Sequence, residues 1–147
     1  SGGNDLCFLN NPINPNKDRD LTENIILNLA KKEKLPVLGI CRGIQMINHY
    51  FGGKLVRLDG HVGNTHLLKI KLSNSKVFSR YVNSFHRWGI NNKSLGKGLI
   101  PFAWDENKNI EGIIHPELNW IGLMWHPERM ANLEDIDKKI IYDLFLT

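Results

Sequence analysis

Apolar residues at 21, 25, 26, 29 and 30, with polar residues between them, follow the 3.6-residue period of an amphipathic helix. Asp20 stands three residues before Glu23, the spacing of a capping box, and the pattern predicts that it opens this helix. Lys31, Lys32 and Lys34 fall at its end, where the helix dipole favours cations and where a charge run forms a solvated face. Residues 4–18 are rich in Asn, Pro and Asp and read as a loop. Residues 36–40 form a short, uniformly apolar run, usual for a parallel strand covered on both faces. After Cys41-Arg42-Gly43, helical spacing returns at Ile44, Ile47 and Tyr50, and Gly52-Gly53 stops it. Helix, buried strand and helix in this order indicate α/β layers.

The middle of the chain changes character. Short runs at 54–58, 67–71, 78–82 and 99–104 are separated by Asp-Gly, Ser-Asn and Gly-Lys-Gly turns, a pattern of antiparallel strands. Ile110–Ile114 and residues 120–125 are expected to pair around His115-Pro116-Glu117. Ile136, Ile140, Ile141, Leu144 and Phe145 lie at helical spacing and predict an amphipathic closing helix over about residues 132–146. No internal repeat or linker divides the sequence, so residues 1–147 are expected to form a single domain.

Composition narrows the classes. The 147 residues are 41% hydrophobic and 23% charged, near the average of globular proteins, which excludes disordered, collagenous and coiled-coil chains. The net charge of +4 comes without a basic run or aromatic-basic interleaving, so no nucleic-acid partner is expected. No run of about 18 apolar residues is present to span a membrane as a helix. Two cysteines, Cys7 and Cys41, do not make a disulfide framework, and they fit a reducing, cytoplasmic compartment. The sequence opens on Ser1-Gly2-Gly3-Asn4-Asp5, without Met or a leading element. That opening reads as a domain whose first strands lie upstream, N-terminally incomplete.

The sharpest chemistry lies in Gly39-Ile40-Cys41-Arg42-Gly43, where a strand meets a helix. The spacing is that of a nucleophile elbow with cysteine at its tip, and flanking glycines permit the tight turn. A helix N-terminus aimed at the sulfur lowers a thiol pKa, so a thiolate is expected at Cys41. The plainer alternative is a buried core cysteine between two glycines. His126, in Trp125-His126-Pro127-Glu128, follows the apolar run 120–125 and would share the carboxyl end of the sheet with Cys41. Glu128 could then orient its imidazole, completing nucleophile, base and orienter. His115-Pro116-Glu117 repeats the tripeptide, but in a turn, so His115 reads as a surface residue and His49 as structural. His61, His66 and His86 lack the spacing of a metal set and no acidic cluster accompanies them, so no metal site is expected. An oxyanion needs two backbone donors, for which the N–H of Arg42 and the Gly2-Gly3 loop are natural sources.

Taken together, Ser1-Gly2-Gly3, Gly39 to Gln45 and Trp125 to Glu128 resemble class I glutamine amidotransferase-like proteins, and more narrowly the gamma-glutamyl hydrolase branch, peptidase family C26. Supporting pieces are Arg19-Asp20 with Glu23, Gly52-Gly53, Val82 to His86, and Ile110-Glu111 leading to His115-Pro116. Ser1–Asp5, Asn83–His86 and Met124–Arg129 also look like the subfamily that hydrolyses gamma-glutamyl-CDP-amidate in bacterial capsule modification. The resemblance implies a flavodoxin-like α/β fold, with a central mostly parallel sheet flanked by helices and an antiparallel extension. It implies Cys41 as nucleophile, His126 as base, Glu128 as its partner, and oxyanion donors at Gly3 and Arg42. Gly2, Gln45, Ser84, Phe85 and His86 match segments that hold the glutamyl group. No cofactor is implied, and the partner is a small gamma-glutamyl molecule; a homo-oligomer stays open. Arg42 is more usual in free-standing hydrolases than in ammonia-producing domains, which often carry Leu or Tyr there. Met124 departs from the Gln common before the Trp-His pair. Three readings follow: a hydrolase of gamma-glutamyl amides, a glutaminase subunit feeding a partner synthetase, and a non-catalytic binding module on the same fold.

Overall fold

A computed structural model describes residues 3–72, 77–130 and 134–146, with side chains through residue 142. Helix α1 spans Lys17–Lys32, strand β1 Val37–Ile40 and helix α2 Arg42–Tyr50. Seven strands follow: β2 Val56–Arg57, β3 Val62–Ile70, β4 Phe78–Phe85, β5 Trp88–Gly89, β6 Ile100–Trp104, β7 Ile110–Ile114 and β8 Trp120–Leu123. A single 3-10 turn covers Pro127–Arg129, and helix α3 covers Asp135–Leu146.

Six strands form one sheet in the order β1-β8-β7-β6-β3-β4, and β2 pairs with β5 in a small second sheet. The α/β class read from the sequence is the class observed. The balance inside the sheet differs from the expectation of a mostly parallel core: among the described residues, β1 and β8 are parallel and the remaining pairings are antiparallel. The antiparallel part is longer than its apolar runs suggest because polar residues continue the ladders. His66, Asn83 and Ser84 all sit in register on the β3–β4 pair. Conversely, the predicted strand over 120–125 ends at Leu123, two residues short of Trp125.

The core lies on both faces of the sheet. Leu27 and Ala30 of α1 and Ile44, Met46 and Ile47 of α2 pack with Leu6, Ile90, Ile110, Ile113 and Trp120. On the other side Ile140 of α3 joins Leu68, Val82, Phe102, Leu123 and Trp125. Trp125 Nε1 donates to Asp137 at 3.0 Å and Arg80 pairs with the same carboxylate at 2.9 Å, which fixes α3 to the strand ends.

Helix α1 departs from its predicted orientation. Leu21, Ile25, Ile26 and Leu29 are each more than half exposed, and the buried pair is Leu27 and Ala30. Its N-cap is Asn16, whose side chain accepts the Arg19 N–H, so Asp20 and Glu23 are not a capping box. Both carboxylates are instead bound to Arg42.

Two neighbouring strands place the chemistry. β1 and β8 run side by side from Val37↔Trp120 to Ile40↔Leu123, and the Cys41 N–H donates to the Leu123 carbonyl at 2.7 Å. The chain therefore leaves β1 at Cys41 and β8 toward His126 at the same end of the sheet.

Candidate active site

Cys41 is the N-cap of α2 and has φ 52 and ψ −101, a backbone conformation rarely adopted by a residue with a side chain. Such a conformation costs on the order of 1–3 kcal/mol and persists only where the surroundings enforce it. The enforcement is close packing. A Cβ on Gly39 would stand 2.7 Å from the carbonyl carbon of Gly43 and 2.6 Å from Ile47 Cδ1. Gly39 thus lets strand and helix approach across the turn, while the unusual φ falls on the cysteine itself.

The thiol is buried, and its ionisation does not follow the sequence expectation. Burial pushes the Cys41 pKa up to about 11; the Arg42 backbone N–H, aimed at the sulfur, and the charge of Arg129 only partly offset this. The helix N-terminus is present, but desolvation outweighs it. Cys41 is therefore a neutral thiol in the free protein and needs a base.

That base geometry is present nearby. His126 is buried, and its Nδ1 lies 2.6 Å from Glu128 Oε1. A donor at Nδ1 leaves Nε2 with its lone pair free to accept a proton. Asn83 on β4 grips the His126 backbone: its Oδ1 accepts the His126 N–H at 2.8 Å and its Nδ2 donates to the His126 carbonyl at 2.9 Å. Phe85 sets an edge against the imidazole, with ring centroids 5.6 Å apart. Arg129 lies 4.8 Å over the Phe85 ring and 3.8 Å from Glu128.

A cavity of about 490 Å³ brings these groups together; its lining includes Gly3, Cys41, Gln45, Phe85, His126 and Arg129. Arg42 and His86 also reach it. Gly3 has φ 137, a backbone conformation that L side chains rarely adopt and that favours glycine here. Gly2 lies outside the described residues. Gln45 is buried and donates from Nε2 to the Trp88 carbonyl at 2.8 Å, with Met124 Sδ 3.9 Å away. Ser84 is not brought to the cavity: its hydroxyl is buried and donates to the His61 carbonyl at 2.6 Å. His115 caps its turn, with Nδ1 accepting the Glu117 and Leu118 N–H groups, and His49 stacks on Phe8.

The Arg42 side chain is almost completely buried. It pairs with Asp20 and Glu23 of α1 and donates from Nε to the Asn4 carbonyl at 2.9 Å. Asp20 also accepts the Cys7 N–H at 2.7 Å. The guanidinium thus ties the residues following Gly3, and α1, to the elbow. Its backbone N–H stays directed at Cys41.

A second constellation adjoins the cavity wall at His86. His61, His66 and His86 converge on Glu111, with His66 Nε2 and His86 Nε2 at 3.4 and 3.5 Å from its two carboxylate oxygens. Asp105 stands 3.4 Å from His61 Nε2. The expectation that these histidines have no acidic companion fails, because the β3–β4 and β6–β7 pairings join positions far apart in sequence. Burial pushes the Glu111 pKa up, but the two imidazoles outweigh it and hold the carboxyl below its ordinary value. A charged residue inside the apolar strand Ile-Glu-Gly-Ile-Ile is the one sequence signal of this cluster. Asn83 stands in the Asn83–His86 motif, but nothing in its spacing marks it as the residue that positions His126.

Comparison with known proteins places the chain in a family. The family model for glutamine amidotransferase class-I matches residues 2–146. The chain belongs to the class I glutamine amidotransferase family. A gamma-glutamyl-CDP-amidate hydrolase of Campylobacter jejuni subsp. jejuni is 39% identical over 136 residues, covering 92% of this chain and 64% of that protein. A glutamine-hydrolyzing GMP synthase component of Methanococcus vannielii is 33% identical over 104 residues, covering 69% of this chain and 54% of that one. The chain thus spans between about half and two thirds of the length of these relatives. The crystal structure of a glutamine amidotransferase from Thermotoga maritima superposes with a TM-score of 0.62 at 18% identity, over 84% of this chain and 52% of that one, and shows the shared fold. Among the described residues no helix is long and apolar enough to cross a membrane.

Proposed function

We propose that this domain hydrolyses a gamma-glutamyl amide through a gamma-glutamyl thioester on Cys41. The observation that carries the reading is the pairing, in one cavity, of a cysteine on a strained elbow with a histidine whose Nδ1 is held 2.6 Å from a carboxylate. The similarity to a gamma-glutamyl-CDP-amidate hydrolase supports the substrate class.

In this mechanism His126 Nε2 takes the thiol proton as the sulfur attacks the gamma-carbonyl carbon. The backbone N–H groups of Arg42 and Gly3 hold the oxyanion, which is stabilised most by donors fixed in advance. The tetrahedral adduct collapses with cleavage of the C–N bond, and the leaving nitrogen takes the proton from His126. A water molecule then attacks the thioester, giving its proton to the same imidazole. Glutamate leaves, and the proton returns to sulfur. Glu128 keeps the imidazole oriented and stabilises its charged form. Gln45, Phe85 and His86 line the place for the glutamyl group. A small-molecule substrate is all this scheme needs, and it calls for no cofactor.

A narrower reading is that the leaving amine carries a CDP group, as in the name of the Campylobacter relative, with capsule modification as its setting. Arg129 on the cavity wall supplies a cation for such an anionic leaving group. The test is turnover of gamma-glutamyl amides by wild type and Cys41→Ala, with the released amine identified. Loss of turnover with the fold retained supports the proposal, and full turnover by Cys41→Ala contradicts it. The similarity to a glutamine-hydrolyzing GMP synthase favours a second reading, a glutaminase serving a synthetase. Glutaminase activity that appears only on adding a partner protein would select it.

A further inference from the structure

Behind the Phe85–His86 wall, the geometry points to a site for a divalent transition cation of the zinc class, held by His61, His66 and Glu111. One nitrogen of each histidine and one carboxylate oxygen lie within 4.8 Å of one another. Glu111 is completely buried and His61 is 6% exposed, so the site is walled by protein. The donor set of two imidazoles and a carboxylate is one that zinc accepts.

Three observations separate this cluster from an ordinary buried ion pair. First, its hydrogen bonding is unsatisfied: His61 Nδ1, His66 Nε2, His86 Nε2 and both Glu111 oxygens are buried without a hydrogen bond, the His66 and His86 contacts to Glu111 being ion pairs only. Buried polar groups in native proteins are almost always satisfied, so a set of orphans facing one point calls for something between them. Second, one pair of the set already stands at ligand spacing: His66 Nε2 is 3.4 Å from Glu111, where ligand atoms about 2.0–2.1 Å from a tetrahedral ion stand roughly 3.3–3.4 Å apart, and the set as a whole, within 4.8 Å, draws in around an ion. Third, outer partners are in place. Asp105 stands 3.4 Å from His61 Nε2, leaving the orphaned Nδ1 for the ion, and it is itself fixed by Asn109 at 2.7 and 2.8 Å. His86 Nδ1 lies 3.2 Å from the Trp88 carbonyl, which turns Nε2 toward Glu111 and steadies that carboxylate. A carboxylate or carbonyl on the far nitrogen is the usual outer shell of a metal-bound histidine.

The ion would take no part in the chemistry at Cys41. Its ligands come from the segment leading into β3, from β3 and from β7, and His86 follows β4. Binding would join these strands beneath the cavity wall. No step of the proposed reaction uses His61, His66 or Glu111, so the site stands independently of it.

The test uses the whole chain carrying Cys41→Ser, stripped with chelator, so that the active-site thiol does not compete. Titration with Zn²⁺ by calorimetry is expected to give one equivalent per chain. X-ray absorption of the loaded protein is expected to show nitrogen and oxygen only, with imidazole scattering. Glu111→Gln, which keeps the shape of the side chain, should weaken binding at least a hundredfold, and Asp105→Asn roughly tenfold to a hundredfold. Absence of stoichiometric binding to the Cys41→Ser protein overturns the site whatever the other variants do. So does sulfur in the first coordination sphere, or affinity unchanged by Glu111→Gln.

Discussion

Asn83 clasps His126 by its backbone, accepting its N–H at 2.8 Å and donating to its carbonyl at 2.9 Å. The strand that walls the cavity thereby sets the position of the histidine that follows β8. Asn83→Ala is expected to lower kcat at least tenfold while KM for a gamma-glutamyl amide stays within a few-fold, because misplacing a base costs rate rather than ground-state binding. Asn83→Asp keeps the acceptor and loses the donor, and should fall between the two. Equal loss in kcat and in unfolding free energy, with an unchanged pH profile of kcat/KM, would make Asn83 merely structural.

Glu128 is half exposed, so its contact with His126 is screened more than that of a buried orienter. Glu128→Gln is therefore expected to reduce kcat by roughly tenfold to a hundredfold, below the full range of general acid–base catalysis. Steady-state kinetics at constant pH checks this, and an unchanged kcat would remove Glu128 from the mechanism.

The Arg42 guanidinium serves the fold. Arg42→Ala leaves two carboxylates, Asp20 and Glu23, without their buried partner, and should destabilise the protein by about 3 kcal/mol in urea unfolding. The activity of the fraction that remains folded should persist, since the backbone N–H is retained. A large rise in KM with unchanged stability would instead mark the side chain as a substrate contact.

Cys41 titrates against its burial. Its folded pKa of about 11 lies above the ordinary value of 9.0, so the thiol contributes stability that is fully present below about pH 9 and is lost as pH rises toward 11. The size is roughly 2–3 kcal/mol at low pH. Cys41→Ala should remove this component, seen as a difference between the two unfolding curves above pH 9. Alkylation of Cys41 in the free protein, followed on its peptide, should keep rising through pH 9. A plateau near neutral pH would show a resting thiolate.

The parts of the site carried by short-range pattern are legible in the sequence. Cys41 stands out because an apolar strand, two glycines and a helix surround it, and His126 because it follows another apolar strand. Long-range electrostatics are not legible. Asp20 and Glu23 have capping-box spacing, yet their partner is Arg42, about twenty residues away. Likewise nothing in the separation of His61, His66 and Glu111 announces that strand pairing will unite them. The thiol pKa runs against its sequence expectation because a dipole can be read from sequence, whereas the desolvation opposing it depends on packing.

The central claim is that Cys41 carries the glutamyl group. Rapid acid quenching of the protein during turnover of a gamma-glutamyl amide, followed by intact and peptide mass spectrometry, tests it most directly. The account predicts one glutamyl group on the peptide containing Cys41, released by hydroxylamine and missing in Cys41→Ser. Sustained turnover with no adduct on Cys41, and with activity surviving in Cys41→Ser, would contradict it.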